Sequence, residues 1–412
     1  MIQNKTKPNL RFPNFNEEWK VISIGDVVQK VSNQVKVINN EFYQEIGIRS
    51  HGKGIFHKEL KQGTELGNKR VFWVEENALV VNIVFAWEQA VASTTIQEKG
   101  MIASHRFPMY IPRNKKCIVN YLLHFFLTPK GKVLLELASP GGAGRNKTLG
   151  QNEFLKLSFR IPTLPEQQKI ASFFTAIDQK LTHLKRKKTL LEHYKKGVMQ
   201  KIFSREIRFR DDEGGKYPDW EMKRLGEVGK TYNGITGKTK DDFGEGKPYV
   251  QYKQIFDDSK IDIARFGLVG ISPKENQNRV LFGDVFFTVS SETPNEIGTA
   301  SVLLDEVEEL YLNSFCFGYR ANSFDILNPY FSRYLFRSKL FRNEIVKLAQ
   351  GSTRYNMSKI ELLKIIVNLP SLPEQTKIAN FLSAIDKKIE AVAEAIEATE
   401  KWKRGLMQRM FV

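Results

Sequence analysis

The sequence repeats itself once, and this limits the folds open to it more than any other feature. Leu164-Pro165-Glu166-Gln167-Gln168-Lys169-Ile170-Ala171 returns as Leu372-Pro373-Glu374-Gln375-Thr376-Lys377-Ile378-Ala379, at an offset of 208. The match runs on through Phe173 and Phe381, Ala176-Ile177-Asp178 and Ala384-Ile385-Asp386, Gly197 and Gly405, Met199-Gln200 and Met407-Gln408, and Phe203 and Phe411. Pro162 matches Pro370 upstream. At the starts of the halves, Trp19 and Gly25-Asp26-Val27 match Trp220 and Gly226-Glu227-Val228 at an offset of 201. Such a period is far beyond the roughly 20–50 residues of solenoid arrays. The chain is a tandem duplication with four parts, 1–163, 164–204, 205–371 and 372–412. One reading is plain duplication of a domain. The other is a pseudo-twofold molecule that reads a two-part target. The 40-residue segments stayed alike while the regions before them diverged, which favours the second.

The repeated segments have a heptad pattern. Ile170, Ile177, Leu184, Leu191 and Val198 stand seven apart, and Ile378, Ile385, Val392, Thr399 and Leu406 repeat the series. Phe173, Leu181, Tyr194 and Ile202, with Phe381, Ile389, Trp402 and Met410, widen the stripe. More than four heptads predict a coiled coil. Pro165 and Pro373 suit a first helical turn, and Glu166 and Glu374 suit its dipole. Neither helix can bury its stripe alone, so the two are expected to pack on each other, antiparallel if the halves are related by a twofold. The packing and partner-docking residues expected are Ile170, Phe173, Ile177, Leu184, Leu191, Val198, Ile378, Phe381, Ile385, Val392, Trp402 and Leu406. The stripe is wide enough for further helices from a partner. An intramolecular spacer explains it equally well.

Composition narrows the function. The chain holds 63 Lys and Arg against 46 Asp and Glu, a formal net charge of +17. Such an excess points to a polyanionic partner, most often nucleic acid. Residues 165–204 carry nine Lys/Arg and three acids, residues 373–412 seven and six, so most of the excess lies in the divergent regions. Lys185-Arg186-Lys187-Lys188 reads first as a solvated face and second as a phosphate contact. The two cysteines, Cys117 and Cys316, exclude a disulfide scaffold and any Cys-pair zinc finger. No secretory signal is visible at the start. The most apolar window, 78–87, has half the length of a membrane span, so a soluble cytoplasmic protein is expected.

Each divergent region reads as α+β with a mixed or antiparallel sheet. In the first, strands are expected at 44–49, 79–85, 91–96 and 107–111, then a helix over 121–137. In the second they are expected at 249–255, 285–289, 300–304 and 315–319, then a helix over 329–349. The whole is two globular domains with mixed sheets separated by two long helices. Polar, Gly-containing loops near strand ends supply the candidate DNA-binding residues. These are Arg49, Ser50, His51, Lys53, Arg145, Asn146 and Lys147 in the first half, with Trp87 and Arg106 as weaker candidates. In the second half they are Lys238, Lys240, Lys253, Gln254, Ser290, Ser291, Arg354 and Asn356. Arg and Lys pair with guanine edges and phosphates, Asn and Gln with adenine. Singly, each is an ordinary surface residue; Trp87 also suits a core and Arg106 an ion pair.

No catalytic pattern emerges. The stretch from Gly141 to Thr148 resembles a phosphate-binding loop but has Asn146 where Gly is required, and it follows a predicted helix instead of a strand. Asn328-Pro329-Tyr330 resembles part of an amino-methyltransferase tetrapeptide, yet lacks a proline and fits a helix start better. The six histidines have no metal-ligand spacing, and no G-x-S-x-G occurs. A recognition component is expected, with no catalytic or metal site.

The twice-used L-P-E-Q-x-K-I-A-x-F-x-x-A-I-D segment, its G-x-M-Q tail and the divergent region before each copy resemble the specificity (S) subunits of type I restriction–modification enzymes, over the whole chain. The resemblance implies two target-recognition domains, each reading one half of a bipartite, asymmetric double-stranded DNA site. It implies an antiparallel helix pair that sets the spacing and docks two modification (M) subunits, which use S-adenosylmethionine to methylate adenine N6. Restriction (R) subunits with ATP and Mg²⁺ would join to translocate and cleave. The chain itself would bind no cofactor and touch no membrane. A stand-alone DNA methyltransferase or nuclease, or a structural coiled-coil nucleic-acid-binding protein, are the alternatives. One departure is that the second helix is nearly neutral and carries Thr399 at a core position, which puts equivalence of the two docking surfaces in doubt.

Overall fold

A computed structural model of the chain describes residues 7–141, 147–351 and 354–412. The chain divides into two compact units, one formed by Met1–Arg186 with Glu394–Val412, the other by Lys187–Ala393.

The first unit opens with β1 (Lys20–Ser23), α1 (Ile24–Val27) and β2 (Val28–Val31). A hairpin follows, β3 (Phe42–Ile48) and β4 (Ile55–Gln62), then α2 (Gly63–Leu66). Five short strands come next, β5 (Val71–Trp73), β6 (Leu79–Val81), β7 (Val91–Ser93), β8 (Ile102–Ser104) and β9 (Met109–Pro112). Helices α3 (Val119–Phe126), α4 (Pro129–Leu137) and α5 (Gln151–Lys156), and strand β10 (Ser158–Ile161), lead into the long helix α6 (Leu164–Phe203). One sheet runs β2-β9-β6-β7 and is antiparallel. The other runs β4-β3-β8-β5 and is mixed, because β3 and β8 pair parallel at Glu45 and Ile102. β1 pairs with β10.

The second unit repeats this plan. Its elements are β11 (Glu221–Arg224), α7 (Leu225–Val228), β12 (Gly229–Asn233), β13 (Phe243–Val250), α8 (Tyr252–Asp257) and β14 (Gly267–Val269). Then come β15 (Val285–Thr288), β16 (Ser290–Ser291), β17 (Ala300–Val302), β18 (Tyr311–Leu312) and β19 (Cys316–Ala321). Helices α9 (Pro329–Leu335) and α10 (Lys339–Lys347), β20 (Tyr355–Asn356), α11 (Lys359–Lys364) and β21 (Ile366–Leu369) precede the long helix α12 (Leu372–Met410). Sheet β12-β19-β15-β17 copies β2-β9-β6-β7, and β14-β13-β18 is again mixed.

Several expected elements differ, among them the strand expected over 79–85, which ends at Val81. The helix expected over 121–137 is two helices, broken where Pro129 begins the second and the Thr128 hydroxyl caps it by accepting from Gly131 N–H. A proline at the first helical position has no N–H to lose there, but it clashes with a preceding turn. The helix expected over 329–349 breaks likewise at Ser338, whose hydroxyl accepts from Phe341 N–H. The strand expected over 249–255 ends at Val250 and gives way to α8. Asn328 does begin a helix, its side-chain oxygen accepting from Tyr330 N–H at 2.9 Å.

Each unit contains a stretch of both long helices, and in each the two run antiparallel. In the first unit Phe173 meets Trp402, Asp178 meets Lys403 at 2.5 Å and Lys185 meets Glu400 at 2.6 Å. In the second, Lys195 meets Asp386 at 2.5 Å, while Ile202 and Phe203 join the cluster holding Ile378 and Leu382. Asp178–Lys403 and Lys195–Asp386 join the same two repeat positions, in opposite senses. Of the expected packing residues, Ile170, Ile177, Ile378, Ile385 and Val392 are buried, and Phe173, Leu184, Leu191, Val198, Phe381 and Leu406 half-buried. Trp402 is 51% exposed and meets Phe173 of the other helix edge-on. The fully buried neighbours are Phe174 and Leu382, one residue beyond the phenylalanines the pattern selected. Thr399 is buried at its core position, its hydroxyl satisfied by the Ala395 carbonyl at 2.7 Å.

Candidate nucleic-acid interface

In the first unit three loops meet at Ile83. Its N–H donates to the Arg106 carbonyl at 3.0 Å, and its own carbonyl accepts from Leu149 N–H at 2.9 Å. The loop after β6, the loop before β9 and the segment before α5 are thereby held side by side. In the second unit Val289 does the same: its N–H donates to Phe315 O at 3.1 Å, and its carbonyl accepts from Met357 N–H at 3.0 Å. The same three places in the fold converge in both units, on backbone atoms, although their side chains differ.

Most of the candidates in the first unit gather around that junction. The turn after β3 carries Arg49, Ser50, His51 and Lys53. It is tied to the turn after β6 by His51 N–H to Glu88 O (2.7 Å) and Gly52 N–H to Gln89 O (3.0 Å). His51 adopts φ 59°, and Gly52 adopts φ 65° where a Cβ would stand 2.5 Å from Leu127 Cδ2, so the tight turn demands its glycine. Gln89 anchors the loop from beneath, its amide donating to Phe126 O (2.8 Å) and Thr128 O (3.2 Å). Arg49 lies over the Phe56 ring at 4.7 Å and Lys147 over the Trp87 ring at 5.5 Å. Trp87 donates to Val84 O, so its ring edge is fixed while its face takes the cation. Arg49, His51, Lys53 and Arg106 are exposed, and none has a carboxylate partner among the described residues. Arg145 and Asn146 lie outside the described residues.

The second unit gathers fewer. Ser290 and Ser291 pair with Asn356 and Tyr355, and Arg354 Nε donates to Ser290 Oγ at 2.7 Å. Tyr252 OH donates to the Ser290 carbonyl at 2.8 Å, which brings the start of α8 and Lys253 to the same place. Lys253 is exposed and bridges to Asp257 at 3.0 Å. Three candidates face inward. Gln254 is 2% exposed and its amide donates to the Arg265 carbonyl. Lys238 directs its ammonium to Glu275 at 2.6 Å, with Asp242 at 3.8 Å, and its side chain is 8% exposed. Ser291 is buried with its hydroxyl on Glu296. A polar residue in a loop gives no sign of which way it points, and all three settle neighbouring groups. Lys240 stands exposed on the 3-10 turn Lys240–Asp242.

Two features were not foreseen. Phe315, the counterpart of Arg106, is 63% exposed at the second junction, and Phe85 is 38% exposed at the first. A cleft of about 380 Å³ beside Arg106 is lined by Lys30, Arg70 and His105, with Ser32, Gln34 and Gln151. It has three cationic or titratable groups and no acid. The strand pairings bring these residues together from sites far apart in sequence, so no local motif signals them.

Among the described residues no group of three or more His, Cys, Asp or Glu is placed to hold a metal ion. Burial, helped by Lys403, pushes the His124 imidazole down to about 3, so it stays neutral. Burial pushes the Cys117 thiol up to about 12 and Cys316 higher still. No helix among the described residues is long and apolar enough to cross a membrane.

Residues 16–193 and 217–400 each match the family described as Type I restriction modification DNA specificity domain. Over 98% of its length the chain is 25% identical to the type I restriction enzyme MjaVIII specificity subunit of Methanocaldococcus jannaschii, covering 93% of that protein. Over 217 residues, 51% of the chain and 49% of the relative, it is 33% identical to the putative type I restriction enzyme MjaX specificity subunit of the same organism. The fold is shared with the type I restriction-modification S subunit from M. genitalium, with a TM-score of 0.59 at 13% identity over 98% of this chain and 99% of that one. A chain solved in work on complex assembly and conformational transition of the type I R-M system gives 0.58 at 18% identity, over 95% and 97%. With two family matches that together span most of its length, the chain belongs to the type I restriction-modification DNA specificity family and carries the domain twice.

Proposed function

We propose that each unit reads one half of a bipartite, asymmetric duplex DNA site, on the surface where its three loops converge. One observation carries this: two units with divergent loop sequences hold the same three loops together through backbone hydrogen bonds at Ile83 and at Val289. A scaffold that fixes loop position through backbone atoms leaves the side chains free to differ, which two different half-sites require. In the first unit Arg49, His51, Lys53, Trp87, Arg106 and Lys147 face the DNA. In the second Lys253, Ser290, Arg354 and Asn356 do so, with Phe315 against a base or sugar. The cleft of Lys30, Arg70 and His105 grips a phosphate beside the first half-site.

The chain acts as a non-catalytic specificity subunit and binds no cofactor itself. Its helix pair docks two modification subunits, which use S-adenosylmethionine to methylate adenine N6 on a flipped base, and restriction subunits that use ATP and Mg²⁺. The pair also sets the distance between half-sites, so deletion of the heptad Lys180–Arg186 shortens the spacer and leaves both half-sequences intact. Sequencing of N6-methyladenine in host DNA, with the gene present, deleted and heptad-shortened, tests the reading. Two fixed half-sequences around a constant spacer are expected, lost on deletion. Methylation unchanged on deletion, or turnover of S-adenosylmethionine by the purified chain alone, overturns it.

A further inference from the structure

In the second unit two half-buried arginines make no ion pair among the described residues. Arg337, at the junction of α9 and α10, donates from Nε to Ala300 O (2.6 Å) and from Nη2 to Ile255 O (2.8 Å), Phe256 O (3.2 Å) and Asp258 O (2.6 Å). Arg342, on α10, donates from Nη1 to Gly298 O (2.6 Å) and from Nη2 to Asn295 O (3.0 Å) and Ile297 O (2.6 Å). Every one of these acceptors is a backbone carbonyl. Burial lowers both guanidinium pKa values, Arg337 to about 10 although Asp258 and Asp257 pull it back up, so each charge is held at a cost that those carbonyls, and for Arg337 the two nearby acids, offset.

The carbonyls belong to two segments, apart from Ala300 at the start of β17. Asn295, Ile297 and Gly298 form the far side of the loop between β16 and β17, whose near side is Ser290 and Ser291. Ile255, Phe256 and Asp258 close the end of α8, whose start carries Tyr252 and Lys253. These two segments meet at Ser290 through Tyr252 OH, and Arg354, just before β20, donates to the Ser290 hydroxyl from a third. The loop's other ties are to itself and to its neighbours: Glu296 N–H donates to Thr293 O and Gly298 N–H to Thr288 O, Ile297 is buried in the core, and Gly298 adopts φ 57° where a Cβ would stand 2.7 Å from Ile345 Cγ2. The first unit solves the same problem with a different group. There Gln89 reaches from the loop to the carbonyls of Phe126 and Thr128, at the α3–α4 junction that corresponds to Arg337 and Ser338.

We infer that Arg342 and Arg337 are positioning residues for the second half-site: they hold the 289–299 loop and α8 at the height and angle from which Ser290, Arg354 and Lys253 meet DNA. This rests on the reading above that these loops contact DNA. A planar fork that engages three carbonyls fixes a loop in a way a lysine cannot, since an ammonium offers a single point. Loss of the fork removes the three carbonyl ties between the loop and α10 and lets the loop shift against that helix.

The test uses the full chain assembled with its modification subunits, with half-site preference read by selection from a library of randomised duplexes. Arg342→Lys is expected to reduce discrimination at the second half-site by about tenfold, near the cost of one mismatched base pair, and to leave the first half-site unchanged. Arg354→Ala runs beside it and is expected to alter the same bases. A purely structural role predicts a lower melting temperature and an unchanged preference below it. That result, with Arg354→Ala still shifting the preference, overturns the inference and leaves the loop assignment standing. If neither variant shifts it, the loop does not read DNA and the inference falls with that reading. Arg342→Met keeps the packing stem without its donors, and serves if the lysine variant unfolds at the assay temperature.

Discussion

Asp284 offers a direct test of how the two units solved one packing problem differently. It is fully buried and accepts four hydrogen bonds: Arg320 Nε (2.7 Å) and Nη2 (2.6 Å), Tyr232 OH (2.6 Å) and Leu281 N–H (2.8 Å). Arg320 also lies over the Tyr232 ring at 5.0 Å. The strand registers identify the counterparts in the first unit. Leu79 faces Tyr110 there as Val285 faces Tyr319 here, and Val31 faces Met109 as Tyr232 faces Gly318. Asp284, Arg320 and Tyr232 therefore occupy the places of Ala78, Ile111 and Val31. One unit has a charged triad where the other has aliphatic contacts. Breaking a buried pair costs about 3–5 kcal/mol, whereas replacing the whole group with apolar residues of similar volume is close to neutral. Arg320 keeps 32% of its side chain exposed, so Asp284→Leu alone is expected near the low end, about 3 kcal/mol. Adding Arg320→Met and Tyr232→Phe removes the stranded donors, and the triple variant is expected within about 1 kcal/mol of the parent. Leu281 N–H can turn to water, since Leu281 is 48% exposed. Urea titration followed by hydrogen exchange in peptides from β12, β15 and β19 isolates the second unit from the first. A triple variant as unstable as the single would refute the reasoning.

Three more outcomes are expected. Lys195→Asp sets two carboxylates together at the Asp386 contact and loosens the helix pairing in the second unit by about 2–3 kcal/mol; adding Asp386→Asn, which keeps an acceptor for Tyr334 OH, removes the repulsion and restores at least half of it, as a urea double-mutant cycle would read. Replacing Lys30 and Arg70 by alanine lowers the slope of log K against log salt by about 0.9 for each phosphate that is no longer neutralised. Base preference in the same fluorescence-anisotropy titrations stays put, and an unchanged slope removes the cleft from the interface. Iodoacetamide leaves Cys117 and Cys316 unmodified in the native chain at neutral pH, by intact-mass analysis. A thiol at about 12 is thiolate to only about one part in 10⁵ at pH 7 and becomes reactive only as pH nears that value.

The helices and the duplication were legible because their signals are periodic. Ile170, Ile177, Ile378 and Ile385 stand at fixed steps, and burial follows the steps. The loop residues carry no such signal. Gln254 and Lys253 are adjacent and equally polar, yet one is enclosed against Arg265 O and the other exposed. Direction there is set by which carbonyls and carboxylates the fold brings near, and those come from distant positions. The turns that carry Arg49, His51 and Trp87 follow strands of two different sheets, and they are brought together by backbone bonds from His51 to Glu88 and Gly52 to Gln89, with Lys147 over the Trp87 ring. Pro129 marks the break in the first helical stretch, yet the helix expected over 121–137 runs straight through it. Asp284 shows the opposite limit: nothing in Phe282-Gly283-Asp284-Val285 marks a buried charge.

The duplicated Glu-Gln pair explains how the two halves could diverge and still be anchored alike. Sequence placed Glu166 and Glu374 beside a helix dipole; the structure shows a clamp. Gln167 accepts from Ile118 N–H at 3.0 Å and donates to Pro162 O at 2.9 Å, and Gln375 accepts from Asn328 N–H and donates to Pro370 O, each at 2.9 Å. Glu166, fully buried, takes both Nε and Nη2 of Arg11 at 2.7 Å, and Glu374 takes the same pair from Arg208 at 3.2 and 2.8 Å. Arg11-Phe12 and Arg208-Phe209 are themselves a repeat, with each phenylalanine edge-on to Phe173 or Phe381. The strap they form is bound to the end of a long helix in each unit, by Leu10 N–H to Arg409 O and by Ile207 N–H to Lys201 O. Within the recognition regions the glutamines touch only backbone. A clamp on backbone atoms makes no demand on side chains, so the bases that a unit reads can change without loosening its attachment to the helices. That freedom requires the Glu-Gln pair and the strap to stay fixed, and in both halves they have.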